Sequence, residues 1–314
     1  MSPNPNPNPN PNPNPQHGTP AGDATLAIRK LARATGGDVQ ELQTLYVLEA
    51  FLARIAESVF RDDFVLKGGV LLAAFALRRP TKDIDLQATR MPNDAKDVAE
   101  RMQQIATIDL PDGVVFDVES VGVVAIRDAD EYAGVRVKIV GLLGSARITI
   151  GIDVNFGDPI WPAAELIELP RLVALGHPPI TLLGYPLTMV LAEKILTVLD
   201  RGEANTRWRD FADVYTATRA RVFVAKKLRT TLEVVAKYRQ VELTPVLPRL
   251  AAMPALAQPQ WAAWRTRTNR FEDLPATFDE VLAAVSRFAD PILERALSGS
   301  WNPQTEAWER TALG

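Results

Sequence analysis

Cysteine is missing from the 314 residues, which excludes disulfide frameworks, thiol nucleophiles, iron–sulfur clusters and cysteine-based zinc sites. Histidine is scarce: His17 and His177 leave little for a histidine metal cage or a histidine base. No apolar run reaches the roughly 18 residues of a spanning helix. The N-terminus also lacks a basic segment followed by an apolar one, so neither membrane insertion nor secretion is expected and the cytosol is the default compartment. A charge excess is lacking as well: 35 Lys and Arg face 38 Asp and Glu, for a net charge of −3. That balance gives no support to wholesale coating of nucleic acid, although a local basic face would not register in the sum. Chemistry in this chain must therefore run on carboxylates, lysines and arginines. No serine stands in a nucleophile-elbow context, and there is neither a P-loop nor a Rossmann fingerprint.

What is present begins with an unbroken Pro–Asn alternation over residues 3–15, which offers no apolar surface to bury, so a disordered tail is expected over residues 1–22. Leu42, Leu45, Tyr46, Leu48, Phe51, Leu52, Ile55 and Val59 then recur at helical spacing. An apolar helix is expected over 70–77, a strand over 83–87 and an amphipathic helix over 92–105. Three valine- and isoleucine-rich stretches at 114–118, 121–126 and 135–140 suggest a meander that continues, through a turn at 141–145, into a strand over 147–156. These predict an α+β fold with a mixed sheet of about five strands. Prolines at 170, 178, 179 and 186 mark a change to an almost wholly helical pattern. The expectation is two lobes: an α/β lobe over 23–180 and a helical lobe over 181–314.

The chemistry concentrates in Gly68-Gly69, in Thr81-Lys82-Asp83-Ile84-Asp85-Leu86 and in a carboxylate further on. On a strand Asp83 and Asp85 project from one side while Ile84 and Leu86 enter the core. Two carboxylates so placed repel unless a cation lies between them, and magnesium is commonly held by one or two carboxylates together with substrate phosphates. Asp153, in Ile150-Gly151-Ile152-Asp153, leaves the polar face of a second strand and supplies a third. Three strand-borne carboxylates suit metal-assisted phosphoryl transfer. A glycine pair at a helix entry lets the backbone approach a phosphate, and Thr81 and Lys82 lie near the same place. Leu187, Leu191, Lys194 and Val198 share one helix face, so Lys194 needs a partner: a triphosphate in the cleft or a structural carboxylate such as Asp210. Asp213 can pair with Arg209 one turn away.

Taken together, the run from Lys67-Gly68-Gly69 to Arg79-Pro80-Thr81-Lys82-Asp83-Ile84-Asp85 resembles the first motif of the nucleotidyltransferase superfamily with the polymerase-beta-like fold. More narrowly, it resembles that of the AbiEii/AbiGii nucleotidyltransferase toxins of type IV toxin–antitoxin systems. Asp153 falls where the family has its second motif, Glu193-Lys194 is similar to the third, and Arg207-Trp208-Arg209-Asp210 with Asp213 resembles the fourth. The family usually carries lysine where this chain has Arg209. The similarity runs from about residue 40 into the predicted helix at 278–293. It implies a magnesium- or manganese-dependent transferase in which Asp83 and Asp85 bind metal and Asp153 binds metal or acts as base on the acceptor hydroxyl. Gly68, Gly69, Thr81 and Lys82 would hold the nucleotide, and Lys194 and Asp210 would complete its site. It also implies a nucleoside triphosphate donor, an RNA acceptor such as the 3′ end of tRNA, inhibition of translation, and a cognate antitoxin as partner. A protein hydroxyl as acceptor and a catalytically silent nucleotide- or RNA-binding module are the alternatives. Glycosyl transfer also uses Asp-x-Asp with a metal but leaves Gly68-Gly69 and Lys194 unexplained.

A basic stretch is the candidate RNA surface: Arg219, Arg221, Lys226, Lys227, Arg229, Lys237, Arg239 and Arg249 against only Glu233 and Glu242. Trp261, Trp264, Arg265, Arg267 and Arg270 follow, with rings available for stacking.

Overall fold

The computed structural model describes residues 15–127, 133–268, 270, 273–294 and 297–309. Most of the Pro–Asn tract lies outside the described residues, but the end of the expected tail is ordered. Helix α1 (Pro20–Thr35) starts within it, with Pro20 in its first turn and the Thr19 hydroxyl accepting the Gly22 amide. Asp38 caps α2 (Val39–Glu57) by accepting the Glu41 amide at 2.8 Å. Helix α2 is buried almost without interruption from Leu45 to Ile55, because it lies against the sheet on one side and α1 on the other.

The central sheet is built from β1 (Phe64–Lys67), β2 (Asp83–Ala88), β3 (Val114–Arg127), β4 (Ala133–Leu143), β5 (Ala146–Phe156), β6 (Glu165–Leu169) and β7 (Ile180–Gly184). Its spatial order is β3-β4-β5-β2-β1-β7-β6, with β2/β5 and β1/β7 parallel and the other pairs antiparallel. Seven strands replace the five expected. The stretches at 114–118 and 121–126 are one strand whose register slips between Asp117 and Gly122, a bulge rather than a turn. β6 and β7 come from the proline-punctuated region, and β7 docks beside β1, so the sheet runs past residue 180. The expected helix at 70–77 is shorter. It comprises α3 (Gly68–Leu71) and a 3-10 turn (Leu72–Phe75), closed by Ala76 at φ 58°.

Ile148, Ile150, Ile152 and Val154 of β5 and Val135, Val137 and Ile139 of β4 turn into the core, where α2 and α4 (Ala95–Ala106) cover them. The opposite side of those strands carries Arg136 and Lys138 of β4 and Arg147 and Thr149 of β5, all exposed, with Asp153 and Asn155 partly covered and Val140 and Leu142 as apolar members, as period-two alternation requires. Beyond the sheet come α5 (Leu187–Arg201), α6 (Trp208–Ala220), α7 (Ala225–Arg239), the short α8 (Val246–Arg249), α9 (Met253–Arg267) and α10 (Phe278–Glu294). The helical region also contains a small sheet, in which β8 (Phe223–Val224) pairs with β9 (Ser300–Asn302) and β9 with β10 (Ala307–Glu309). Among the described residues no helix is long and apolar enough to cross a membrane.

Candidate active site

The register of the central sheet sets the site. Lys67 stands across from Asp85, Asp85 across from Asp153, Asp153 across from Arg136, and Arg136 across from Val124, in one row over five strands. The next row carries Asp83, Gly151, Lys138 and Gly122. Two glycines are dictated by this crowding. A Cβ on Gly68 would collide with the Asp85 carboxylate, and Gly68 also has φ 68°, in the left-handed region. A Cβ on Gly151 would collide with the Asp83 carboxylate. The Thr81 hydroxyl donates to the Asp83 carbonyl at 3.4 Å and lies beside Gly69, while Lys82 is exposed.

Burial pushes the Asp85 carboxyl above its ordinary value. Lys67 and Lys194 oppose that rise, while Asp153 and Asp83 add to it. Crowded negative charge with only oxygen donors is the donor set a hard divalent cation accepts. Asp83, Asp85 and Asp153 therefore fit such an ion by chemistry. Even so, no three Asp, Glu, His or Cys side chains among the described residues are gathered closely enough to hold one. At Asp153 the carboxylate is engaged by Arg136, whose Nε donates to Oδ1 at 2.7 Å and Nη2 to Oδ2 at 2.5 Å, so both carboxylate oxygens face the guanidinium.

A cleft of about 610 Å³ opens on the Lys67 side of the row. Gly68, Asp85 and Asn155 line one wall, and Glu193, Lys194, Arg207, Asp210 and Arg239 line the other. Lys194 is buried, with Nζ 3.0 Å from Asp210 and 2.7 Å from Asp213. Burial alone would depress its pKa; Asp213 and Asp210 outweigh that and raise it. Of the two partners weighed for Lys194, the structure supplies the carboxylates, Asp210 and Asp213, while the residue also lines the cleft. Arg207 comes within 2.6 Å of the other Asp210 oxygen, outside hydrogen-bond alignment.

Asp213 does not pair with Arg209, which is exposed; it accepts Arg79 Nε at 2.7 Å and Nη2 at 2.9 Å. Those cations hold its carboxyl down at about 2 despite burial. Arg79 precedes the Asp83–Asp85 strand, so this pair ties the second motif-bearing helix to the sheet. Deeper in the cleft, Lys67 bonds Asp158 at 3.1 Å and Glu193 at 3.4 Å, and Arg239 bonds Glu193 at 2.9 Å.

The expected RNA surface on the helices is largely spent on structure. Trp261 is fully buried and donates to the Pro275 carbonyl, Trp264 is buried beside it, and neither ring is available for stacking. Arg229 binds the Ile292 and Leu293 carbonyls, Arg249 the Leu199 carbonyl, and Arg221 the Phe75 carbonyl. Lys226, Lys227 and Lys237 remain exposed.

Arg136 and Asp158 were not singled out from the sequence; Lys67, Arg79 and Glu193 were named only as parts of motifs, without a role, and Arg239 only within the basic stretch. Gly151 carried a further signal, since a glycine inside a strand marks a close approach.

The profile of the AbiEii family, nucleotidyl transferase toxins of type IV toxin–antitoxin systems, matches residues 50–284. Among solved structures, the chain is similar to MenT4, a nucleotidyltransferase toxin of Mycobacterium tuberculosis H37Rv. The identity is 19% and the TM-score 0.54, with 90% of this chain and 93% of that one covered. A putative nucleotidyltransferase of Helicobacter pylori matches at 15% identity and TM-score 0.46, over 82% of this chain and 96% of that one. JHP933 of Helicobacter pylori matches at 14% and 0.47, over 82% and 93%. No curated protein matches the chain.

Proposed function

Because this chain belongs to the AbiEii family of nucleotidyltransferase toxins of type IV toxin–antitoxin systems, we propose that its cleft binds a nucleoside triphosphate and transfers the nucleotide to a hydroxyl of RNA. The expected acceptor is the 3′ end of tRNA, which once blocked can no longer be charged, so that translation stops in the cytoplasm. The observation that carries this reading is that Asp85 with Gly68 and Lys194 with Asp210 face one another across a single cleft.

In this reading Gly68 and Gly69 let the chain pass close to the phosphates, with Thr81 and Lys82 at the rim. Lys194 neutralises charge on the triphosphate, and Asp210, bonded to it at 3.0 Å, positions its ammonium. Asp153 takes the proton from the acceptor hydroxyl as the new oxygen–phosphorus bond forms and the bond to the β-phosphate breaks, and pyrophosphate leaves with the electron pair. Asp83 and Asp85, with Asp153, would hold magnesium or manganese. When bound, such an ion supplies positive charge against the reacting phosphate. The family implies a cognate antitoxin as partner.

The test is incubation with magnesium, each labelled nucleoside triphosphate in turn and total cellular RNA, resolved on a denaturing gel. Label in tRNA-sized bands, lost in Asp83→Ala and in Lys194→Ala proteins that remain folded, is expected. Label in protein bands would move the acceptor to a side-chain hydroxyl. Triphosphate binding without any label would make the protein a silent binding module.

A further inference from the structure

The carboxylates divide the exposed face of the sheet into two unlike sides. On one side lies the cleft, with Lys67 in register beside Asp85. On the other side, Arg136 stands beside Asp153 and Lys138 beside Gly151, two strands away from Asp85 and Asp83. Neither Arg136 nor Asp153 lines the cleft. An in-line displacement needs the attacking oxygen and the leaving group on opposite sides of the phosphorus. If the triphosphate occupies the cleft, the acceptor must therefore arrive from the Arg136 side.

That side is built to receive a phosphate backbone. Arg136 and Lys138 project from the same face of β4, about 7 Å apart along the strand, a spacing close to that of successive phosphates in an extended single strand. Gly122 and Gly151 flank Lys138 in register, so low backbone lies on both sides of it. Thr149 of β5 is exposed on the same face, and Arg147 closes the row at the far end, where it meets Asp117 at 3.3 Å. Lys138 has no ion-pair partner among the described residues. Arg136 is half-exposed, and its fork, which now grips Asp153, suits a phosphodiester equally well.

We infer that the open face of β3, β4 and β5 is the platform for the acceptor strand, with Lys138 and Arg136 holding successive phosphates and delivering its terminal hydroxyl to Asp153. This inference rests on the RNA-transferase reading above and adds where the acceptor lies. The face is chosen over the helical basic stretch because Arg221, Arg229 and Arg249 of that stretch are spent on backbone carbonyls and its Arg239, which lines the cleft, is bonded to Glu193, whereas Arg136 stands in register with Asp153.

Binding of 5′-labelled bulk tRNA to the full chain, measured over a range of salt, tests it alongside steady-state transfer. Lys138→Gln should make the logarithmic salt dependence shallower by about 0.7. It should also raise the acceptor KM several-fold, while kcat and the triphosphate KM stay as they were. Lys138→Glu should do more. The control is the pair Lys226→Gln and Lys227→Gln on α7, which should change neither. An enzyme that labels RNA but is insensitive at Lys138 overturns the platform alone, as does sensitivity confined to the α7 pair. A wild-type protein that neither binds tRNA nor labels any RNA overturns the underlying reading with it.

Discussion

Arg136 stands directly across from Asp153 in the antiparallel register of β4 and β5, and its guanidinium takes both oxygens of that carboxylate. The carboxylate that sequence reasoning assigned to a metal is thus already satisfied, by a cation the protein carries itself. An ion that binds there shares those oxygens with Arg136 and meets its positive charge. Titration of magnesium or manganese into nucleotide-free protein should therefore give tighter binding for Arg136→Gln than for wild type. About fivefold is expected, corresponding to roughly 1 kcal/mol for an exposed pair. Equal affinities would show that Arg136 and the ion do not compete.

The Lys194–Asp210–Asp213–Arg79 network makes a prediction about acid. The Asp213 carboxyl is held at about 2, below its ordinary 3.8. A group depressed in this way adds stability above its unfolded value and loses it as pH falls toward the folded one. Thermal stability of the wild-type protein should therefore decline between about pH 4 and pH 2, and Asp213→Asn should flatten that part of the profile while lowering stability at neutral pH. A wild-type profile already flat in this window would contradict the pairing.

Lys194→Met removes the other side of the network. It leaves Asp210 and Asp213 buried with one cation fewer, which costs about 3–5 kcal/mol when a single partner of a buried pair is lost. Denaturant unfolding should register that cost, and nucleotide incorporation should vanish in the fraction that remains folded. A Lys194→Met protein as stable as wild type would mean that the ammonium is not needed to hold those carboxylates.

Asp85 points the other way. Burial raises its pKa, so its ionised form is strained in the resting protein and a neutral isostere relieves the strain at neutral pH. Asp85→Asn should melt higher, by about 2–4 °C for each kcal/mol recovered, while losing transfer activity. A drop in melting temperature would indicate that Lys67 and Lys194 need the charge more than burial penalises it.

These relationships separate what the sequence exposed from what it concealed. Asp83, Asp85 and Asp153 were legible because strand alternation is a local rule: every second residue shares a face, and apolar isoleucines and leucines mark the other one. Their neighbours were not, because register is a property of two strands together. Arg136 meets Asp153 only because the β4–β5 turn falls at Gly144, and a turn two residues away would have brought a different side chain there. Arg79 finds Asp213 across more than a hundred residues of chain, beyond any spacing rule. β6 and β7 were hidden by their brevity, five residues each amid prolines. Trp261 and Trp264 were misjudged from their basic surroundings, although large rings gain most by burial and both sit in the core.

Gly68 extends the argument from energetics to inheritance. Any side chain there strikes the Asp85 carboxylate, and the backbone conformation is one that non-glycine residues resist. Gly144 supplies the comparison, since its φ is 60° but nothing lies within 4 Å of a Cβ. Alanine at 144 should therefore cost only the backbone strain of about 1–2 kcal/mol, and alanine at 68 should abolish activity as well. Every missense change of a glycine codon introduces a Cβ, so position 68 offers no neutral steps. In a population of cells forced to express this toxin without its antitoxin, survivors should carry missense lesions at codon 68 and none at codon 144. The collision between one hydrogen-sized gap and one carboxylate would then be readable in a list of escape mutants, without a structure.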